Sequence, residues 1–352
     1  MTDYKNILEK EIQELKDKVT QSQMPEEMRF KLNKDIIGLE RSVELGTYDE
    51  KYEKVSKHIN WVLQIPWQSE TEDTLDIEKA KQIFDQHHYG MQQVKDRFFE
   101  YIAVLNLKHK QGKKGEFRAP ILLLVGLVGT GKTTFAYSLA EALGRKIVRI
   151  PFGGMGSARE LRGHSRLVLG AEPGRVIKGI SSAGVRNPVI LLDEIDRVSQ
   201  ESRRDLMGVL IELLDPAQNQ AFVDNYIDYP VDLSHAIFIA TANNTRDIAT
   251  AVLDRMERLD MPSYSDHEKQ MIGKDYILPQ LLQEAGIQPE QLVIEDEVWQ
   301  NMTRPLGYDA GIRTLQRTLQ AIVRKAARII VEKGFSEVVV NKDNAKIFMP
   351  QY

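Results

Sequence analysis

Residues Ile121 to Thr134 read ILLLVGLVGTGKTT, and this stretch decides the fold. Five apolar residues, Ile121 to Val125, run into Gly126, Leu127, Val128, Gly129, Thr130, Gly131, Lys132 and Thr133, which fit the pattern GxxxxGK[ST]. Thr134 follows, and Phe135 to Leu143 then carry a helical pattern. A glycine loop between a buried strand and a helix N-terminus presents free backbone N–H groups and the positive end of the helix dipole, both suited to polyphosphate. Lys132 can set its ammonium on the β- and γ-phosphates, and Thr133 can offer a hydroxyl to Mg²⁺.

Further along, short apolar runs alternate with helical stretches from about residue 77 to residue 262, the sign of a parallel α/β sheet. The runs predict strands at Lys146 to Ile150, Val189 to Leu192 and Ala236 to Ala240, besides Ile121 to Val125. VILLDEID puts Asp193 and Glu194 at a strand's C-terminal end, where open sheets bind ligands. Asp193 can enter the Mg²⁺ shell, and Glu194 can polarise a water for attack on the γ-phosphate. IFIATANN ends in Asn243 and Asn244, amides able to orient that water, and LDRME carries Arg255, a planar cation that a neighbouring copy can use.

The chain bounds these readings loosely. Its 352 residues suffice for two or three domains, and 47 basic against 51 acidic side chains give a formal charge of −4. Nothing there favours a polyanion partner. KHKQGKKG, Lys108 to Gly115, is basic, but no aromatic residue interleaves, so nucleic acid is not expected. Cysteine is absent, which excludes disulfides and thiolate metal sites, and the charged N-terminus is no signal peptide. No apolar run approaches a membrane span, and a cytoplasmic protein is expected.

Three helical stripes open the chain: Tyr4, Leu8, Ile12, Leu15 and Val19; Met28, Leu32, Ile36, Leu39 and Val43; then Tyr52, Val55, Ile59 and Val62. They form a bundle or a partner-binding arm. SETEDTLD, Ser69 to Asp76, reads as an acidic linker. After Ser263 helices return, with a capping-box spacing at Ser265 and Glu268, a long amphipathic stretch from Ile312 to Ile330, and a short strand at Glu337 to Val340.

HHYGMQQVKDRFFEYIAV (His87 to Val104), FGGMGSARELRGHSR (Phe152 to Arg166), LIELLDPAQNQAF (Leu210 to Phe222) and YDAGIRTLQR (Tyr308 to Arg317) resemble the AAA+ ATPase module of the Lon protease family, LonA-like. With INWVLQIPW before them, the resemblance covers nearly the whole chain. It implies an α/β fold: an AAA+ P-loop parallel sheet with an N-terminal helical arm and a C-terminal helical lid. The implied division is an arm at 1–65, a linker and entry at 66–86, the nucleotide-binding domain at 87–262 and the lid at 263–352. It makes Lys132 the Walker A lysine, Asp193 and Glu194 the Walker B acids, Asn243 sensor 1, Arg255 the arginine finger and Arg313 sensor 2. His88, Tyr89 and Gly90 would lie near the adenine. The family binds ATP/ADP with Mg²⁺ between subunits of a hexameric ring and pulls protein substrates through a pore.

Departures bear on function. Lon chains continue into a peptidase with a serine–lysine dyad, whereas this sequence stops at Tyr352, so no proteolysis is expected from this polypeptide. A separate peptidase or an adaptor would then be a partner. Where the family carries an aromatic residue in its first pore loop, GHSRLVLG leaves Val168 and Leu169 at the tip. The family's two loop prolines are Leu127 and Val128 here, and its GDP is Arg204, Asp205 and Leu206; no phosphate or metal ligand is lost. The leading expectation is an ATP-hydrolysing ring or open spiral that unfolds or translocates proteins. The alternatives are a nucleotide-switched adaptor that threads nothing, and an excised fragment of a full-length ATP-dependent protease.

Overall fold

Strands buried on both faces need near-continuous apolar runs, and the sequence supplies them where the sheet forms. In a computed structural model, which describes residues 2–45, 49–111, 120–303, 311–334 and 336–350, nine strands occur. They are β1 Ile121–Val125, β2 Ile147–Pro151, β3 Val189–Asp193, β4 Phe222–Val223, β5 Pro230–Val231, β6 Ile237–Ala242, β7 Met256–Asp260, β8 Leu292–Ile294 and β9 Val338–Val340. Gly112 to Gly115 of the basic stretch, Tyr308 to Ala310 of YDAGIRTLQR, and the last two residues lie outside the described residues. The main sheet has the order β2-β3-β6-β1-β7. Pairing of β2 with β3 and of β3 with β6 is parallel, with Ile150 beside Leu192 and Leu192 beside Ala240. Every residue of β1, β3 and β6 is buried.

Strand ends differ from expectation by one or two residues: β2 is Ile147–Pro151 rather than 146–150, β3 runs on to Asp193, β6 is Ile237–Ala242 rather than 236–240, and β9 starts at Val338. Edge strand β7 was not expected, because MERLD is only half-buried and carries charge along it. Nor were the two-residue hairpin strands β4 and β5, or β8, which pairs in parallel with β9.

The chain divides into two compact units, one of Met1–Asp76, Tyr101–Leu123 and Ala140–Arg258, the other of Ile77–Glu100, Leu124–Leu139 and Leu259–Tyr352. In the first, the predicted stripes form helices Thr2–Gln21, Glu26–Glu44 and Asp49–Gln64. Pro25 caps the second helix with φ −56°, and Glu26 and Glu27 complement its N-terminal dipole. Leu15, Val19, Met28, Leu32, Ile36, Leu39, Ile59 and Val62 are buried, each contributing about 1.5–3 kcal/mol of apolar burial. The acidic segment after them is strapped down. Asn187 accepts from the Thr71 amide at 2.9 Å and donates to its carbonyl at 2.8 Å, and Arg145 forks onto Asp73 at 2.6 and 2.7 Å.

The second unit is held by an aromatic cluster. Phe84 of helix Ile77–His87, Phe98 of helix Gln92–Lys110, and Phe135 of helix Lys132–Leu143 lie within 5.3–5.9 Å of one another. Ser265 and Glu268 form the predicted capping box of helix Asp266–Ile272. A π-helical turn at Gly273–Ile277 follows, where a Cβ on Gly273 would stand 2.6 Å from the Trp299 ring. Helix Arg313–Lys333 buries Leu315, Leu319, Ile322 and Val323. Among the described residues no helix is long and apolar enough to cross a membrane.

Candidate functional site

The phosphate loop belongs to the second unit and is shaped by glycine. Gly129 and Gly131 have φ of +84° and +88°, a region L side chains enter at a cost. A Cβ on Gly126 would stand 2.7 Å from Met261 Cβ, so the loop's first residue is also fixed by close approach. Thr130 is fully buried and donates to the Leu127 carbonyl at 2.9 Å, while Thr134 donates to the Gly131 carbonyl at 2.6 Å. Lys132 is buried, and its ammonium donates to the Gly126 and Leu127 carbonyls at 2.7 and 2.9 Å, inside the loop's curve. Leu127 and Val128 are exposed, and Thr133 is half-buried.

Helix Arg313–Lys333 starts against this loop. The Ile312 amide donates to the Gly129 carbonyl at 3.2 Å, and a Cβ on Gly311 would stand 2.3 Å from the Val128 carbonyl oxygen. Arg313 is thereby exposed beside Gly129, at a helix N-terminus, where a cation opposes the dipole. Such a residue adds little to helix stability, and its position suits an anion shared with the loop.

The three residues expected near adenine divide. His88 is 4% exposed, stacks on Phe135 with ring centres 3.7 Å apart, and lies 2.9 Å from the Ser138 hydroxyl. Burial, and then the Lys95 charge, lower its pKa to about 3, so the ring is a neutral part of the core. Tyr89 sits edge-on to Tyr276 at 6.4 Å, and Gly90 is exposed with φ +64°. Tyr89 and Gly90 are thus the accessible part of the segment.

The acids belong to the first unit. Asp193 ends β3 and is 3% exposed; the Thr241 hydroxyl donates to its Oδ1 at 2.6 Å, and Arg149 Nε and Nη2 donate to its Oδ2 at 2.8 and 2.6 Å. The Glu194 amide donates to the same Thr241 hydroxyl at 2.8 Å, which keeps Glu194 in a left-handed posture with φ +57°. Its carboxylate pairs with Arg197 at 3.1 Å. Asn243 is placed through Asp196, whose Oδ2 accepts from the Asn243 and Asn244 amides at 3.0 and 3.2 Å. Thr241, Asp196, Arg149 and Gly311 were missed by sequence reasoning. Each acts through a contact distant in sequence; Asp196, Thr241 and Gly311 stand inside VILLDEID, IFIATANN and GIRTLQR, whereas Arg149 lies in a predicted strand that carries no such motif.

Arg255 folds back in the same unit, donating to the Ala251 carbonyl at 2.7 Å and to Asp215 at 3.2 Å. Leu167, Val168 and Leu169 are 93, 50 and 84% exposed, so the tip includes Leu167 as well. The base beneath them is tied down. Glu172 pairs with Lys178 at 2.7 Å and Lys57 at 3.0 Å, which holds its pKa near 2, and Arg166 lies 3.6 Å from Asp35 and 3.5 Å from Asp228.

Residues 122–263 match the ATPase family associated with various cellular activities (AAA), and residues 283–339 match the Lon protease AAA+ ATPase lid domain. Fold and site therefore define an AAA-type ATPase domain followed by a lid. The chain is 40% identical over 347 residues to Lon protease 2 of Thermus thermophilus, covering 97% of this chain and 43% of that protein. It is 41% identical over 334 residues to the Lon protease of Dictyoglomus thermophilum (95% and 41%), and 39% identical over 339 residues to Lon protease 1 of Bacillus subtilis (96% and 43%). The chain is an AAA+ ATPase module of the Lon protease family, and it spans about two-fifths of the length of the curated relatives it matches.

Proposed function

We propose that this chain binds ATP with Mg²⁺ at the phosphate loop, hydrolyses it in an oligomeric ring, and uses the cycle to unfold or translocate proteins. The observation that carries the reading is the Asp193–Thr241–Glu194 arrangement, a buried acid followed by one whose left-handed backbone costs about 1–3 kcal/mol. Strain of that size, fixed by one hydroxyl, is typical of a residue aimed for chemistry.

The residues present fit both nucleotide and metal. A side chain at Gly126 would strike Met261, and one at Gly129 would crowd Gly311 and Ile312, so the loop keeps its shape only with glycine there; the hydroxyl of Thr133 and the carboxylate of Asp193 are hard oxygen donors. Among the described residues no group of three or more His, Asp or Glu forms a metal cage, which suits an ion that arrives on phosphates. When bound, Mg²⁺ neutralises oxygens of the β- and γ-phosphates.

Lys132 and the loop amides hold the polyphosphate, and Arg313 meets it from the lid helix. Glu194 takes a proton from water as the water oxygen bonds to the γ-phosphorus. The bond from that phosphorus to the bridging oxygen breaks, and ADP and phosphate leave. Asn243 orients the water, and Arg255 of a neighbouring copy spreads charge over the transferring phosphoryl group. Leu167, Val168 and Leu169 contact the protein substrate, a separate peptidase or adaptor receives it, and the ring, a homo-hexamer or open spiral, works in the cytoplasm.

Purified protein with Mg-ATP is expected to turn over, and Glu194→Gln to bind nucleotide while losing about 10²–10⁴-fold in kcat. An assembled wild-type ring without turnover overturns the reading. The aliphatic tip favours one second reading, a nucleotide-switched adaptor, since valine and leucine offer less grip than an aromatic ring. Loss of fold in a tagged substrate only with ATP supports the motor; ATP-dependent binding without unfolding supports the switch.

A further inference from the structure

Asp193 is the proposed metal ligand, yet its carboxylate already has a cation. Arg149 stands on β2, next to β3, and its guanidinium gives two N–H groups to one oxygen, Oδ2, at 2.8 and 2.6 Å. Thr241 donates to the other oxygen. The pair is asymmetric in burial. The Asp193 side chain is 4% exposed, whereas that of Arg149 is 51% exposed.

That asymmetry has a physical consequence. An acid with almost no access to water needs a partner continuously, because an uncompensated buried charge is costly. A half-exposed guanidinium can withdraw and be solvated. We propose that Arg149 is the built-in counter-cation of Asp193: it neutralises and orients the carboxylate in the nucleotide-free protein, and yields it when a divalent cation arrives with nucleotide. The proposal rests on the reading of Asp193 as a metal ligand given above.

Three properties follow. Free divalent cation meets a carboxylate whose charge is already matched, so metal without nucleotide binds weakly. Nucleotide-bound metal competes better, because the phosphates supply most of its shell and the loop supplies their binding energy. Thr241 stays on Oδ1 throughout, so exchange of cations at Oδ2 does not release the Glu194 backbone that the same hydroxyl fixes. Arg149 is therefore a positioning residue, acting on the reaction through Asp193.

The test is a titration of nucleotide-free protein with Mn²⁺ alone, read by the loss of its free-ion electron paramagnetic resonance signal. Arg149→Gln and Arg149→Met, which remove the charge, are each expected to bind Mn²⁺ at least about tenfold more tightly than wild type. Arg149→Lys keeps a cation and is expected to stay close to wild type. Adding Asp193→Asn to Arg149→Gln is expected to abolish the gained site. Cooperative melting identifies which chains are folded, and the two neutral variants guard against one that is not. Folded neutral variants that bind Mn²⁺ as weakly as wild type overturn the proposal, as does a gained site that survives Asp193→Asn. No nucleotide is present, so the titration is separable from turnover. A chain that gains Mn²⁺ affinity yet never hydrolyses ATP sinks the functional reading and leaves the counter-cation standing.

Discussion

Single residues here are defined by what they are packed against more than by their chemical type. His88 falls in a segment expected to meet adenine, but its ring is stacked on Phe135 and lies within hydrogen-bond distance of the Ser138 hydroxyl. His58 is likewise buried, beside Tyr226 and 3.3 Å from Arg166. Burial, and next Arg166, lower the His58 pKa to about 4; burial, and next Lys95, lower that of His88 to about 3. An unfolded chain takes up these protons near pH 6.5. Between pH 6.5 and the folded values the unfolded state binds more protons, so stability is full above pH 6.5 and falls as pH drops below it. The loss is about 1.4 kcal/mol per pH unit for each histidine. Unfolding free energies from denaturant titration at pH 7.5, 6 and 5 check this, and His88→Phe, which keeps the stack on Phe135, is expected to flatten the dependence by about half. An unchanged slope in that variant removes His88 from the account.

Among elements, the junction of the phosphate loop with helix Arg313–Lys333 leaves a Cβ the least room of any described glycine position in its unit. The Gly311 position tolerates no Cβ unless the Val128 carbonyl retreats from 2.3 Å, and Gly129 faces Gly311 in return. Gly311→Ala is therefore expected to push the helix start from the loop and to weaken binding of a fluorescent ADP analogue by about tenfold or more, a loss of about 1.4 kcal/mol. Unaltered affinity in a folded Gly311→Ala chain contradicts that coupling. The same junction marks the limit of what the sequence made legible. β1 and β3 were plain, because strands covered on both faces appear as unbroken apolar runs. β7 was hidden, because an edge strand of half-buried, charged residues has no such run. The acidic segment from Ser69 read as a linker, since nothing in its polarity reveals that Asn187 and Arg145 hold it. In the site, the GxxxxGK[ST] spacing announced the phosphate loop itself. No spacing announced the contacts of Arg149, Thr241 and Asp196, because their partners Asp193 and Asn243 lie 44 to 48 positions away in the chain.

At the scale of the whole molecule, the proposed assembly assigns Arg255 to the site of a neighbouring copy. Its guanidinium is held on the Ala251 carbonyl and on Asp215, and the carboxylate of Asp215 is lowered in pKa by the Ala217 amide and further by this arginine. Those bonds fold the cation back onto its own subunit just past a short helix, Thr250–Leu253, so service to another molecule requires its release from Asp215. If the arginine works in trans, an Arg255→Ala subunit lacks only what it gives its neighbour, and a Lys132→Ala subunit lacks only its own nucleotide grip. Each variant alone is expected to be nearly silent, since an arginine of this kind contributes about 10³–10⁵ in rate. Mixed, they can assemble with Lys132→Ala donating Arg255 to an Arg255→Ala copy whose phosphate loop is intact. Hydrolysis is then expected to return in proportion to the number of such junctions and to peak at intermediate mixing ratios. Mass measurements with and without nucleotide verify that mixed assemblies form. A mixture that assembles and stays silent at every ratio assigns Arg255 to its own subunit, where its bond to Asp215 would be the whole of its role.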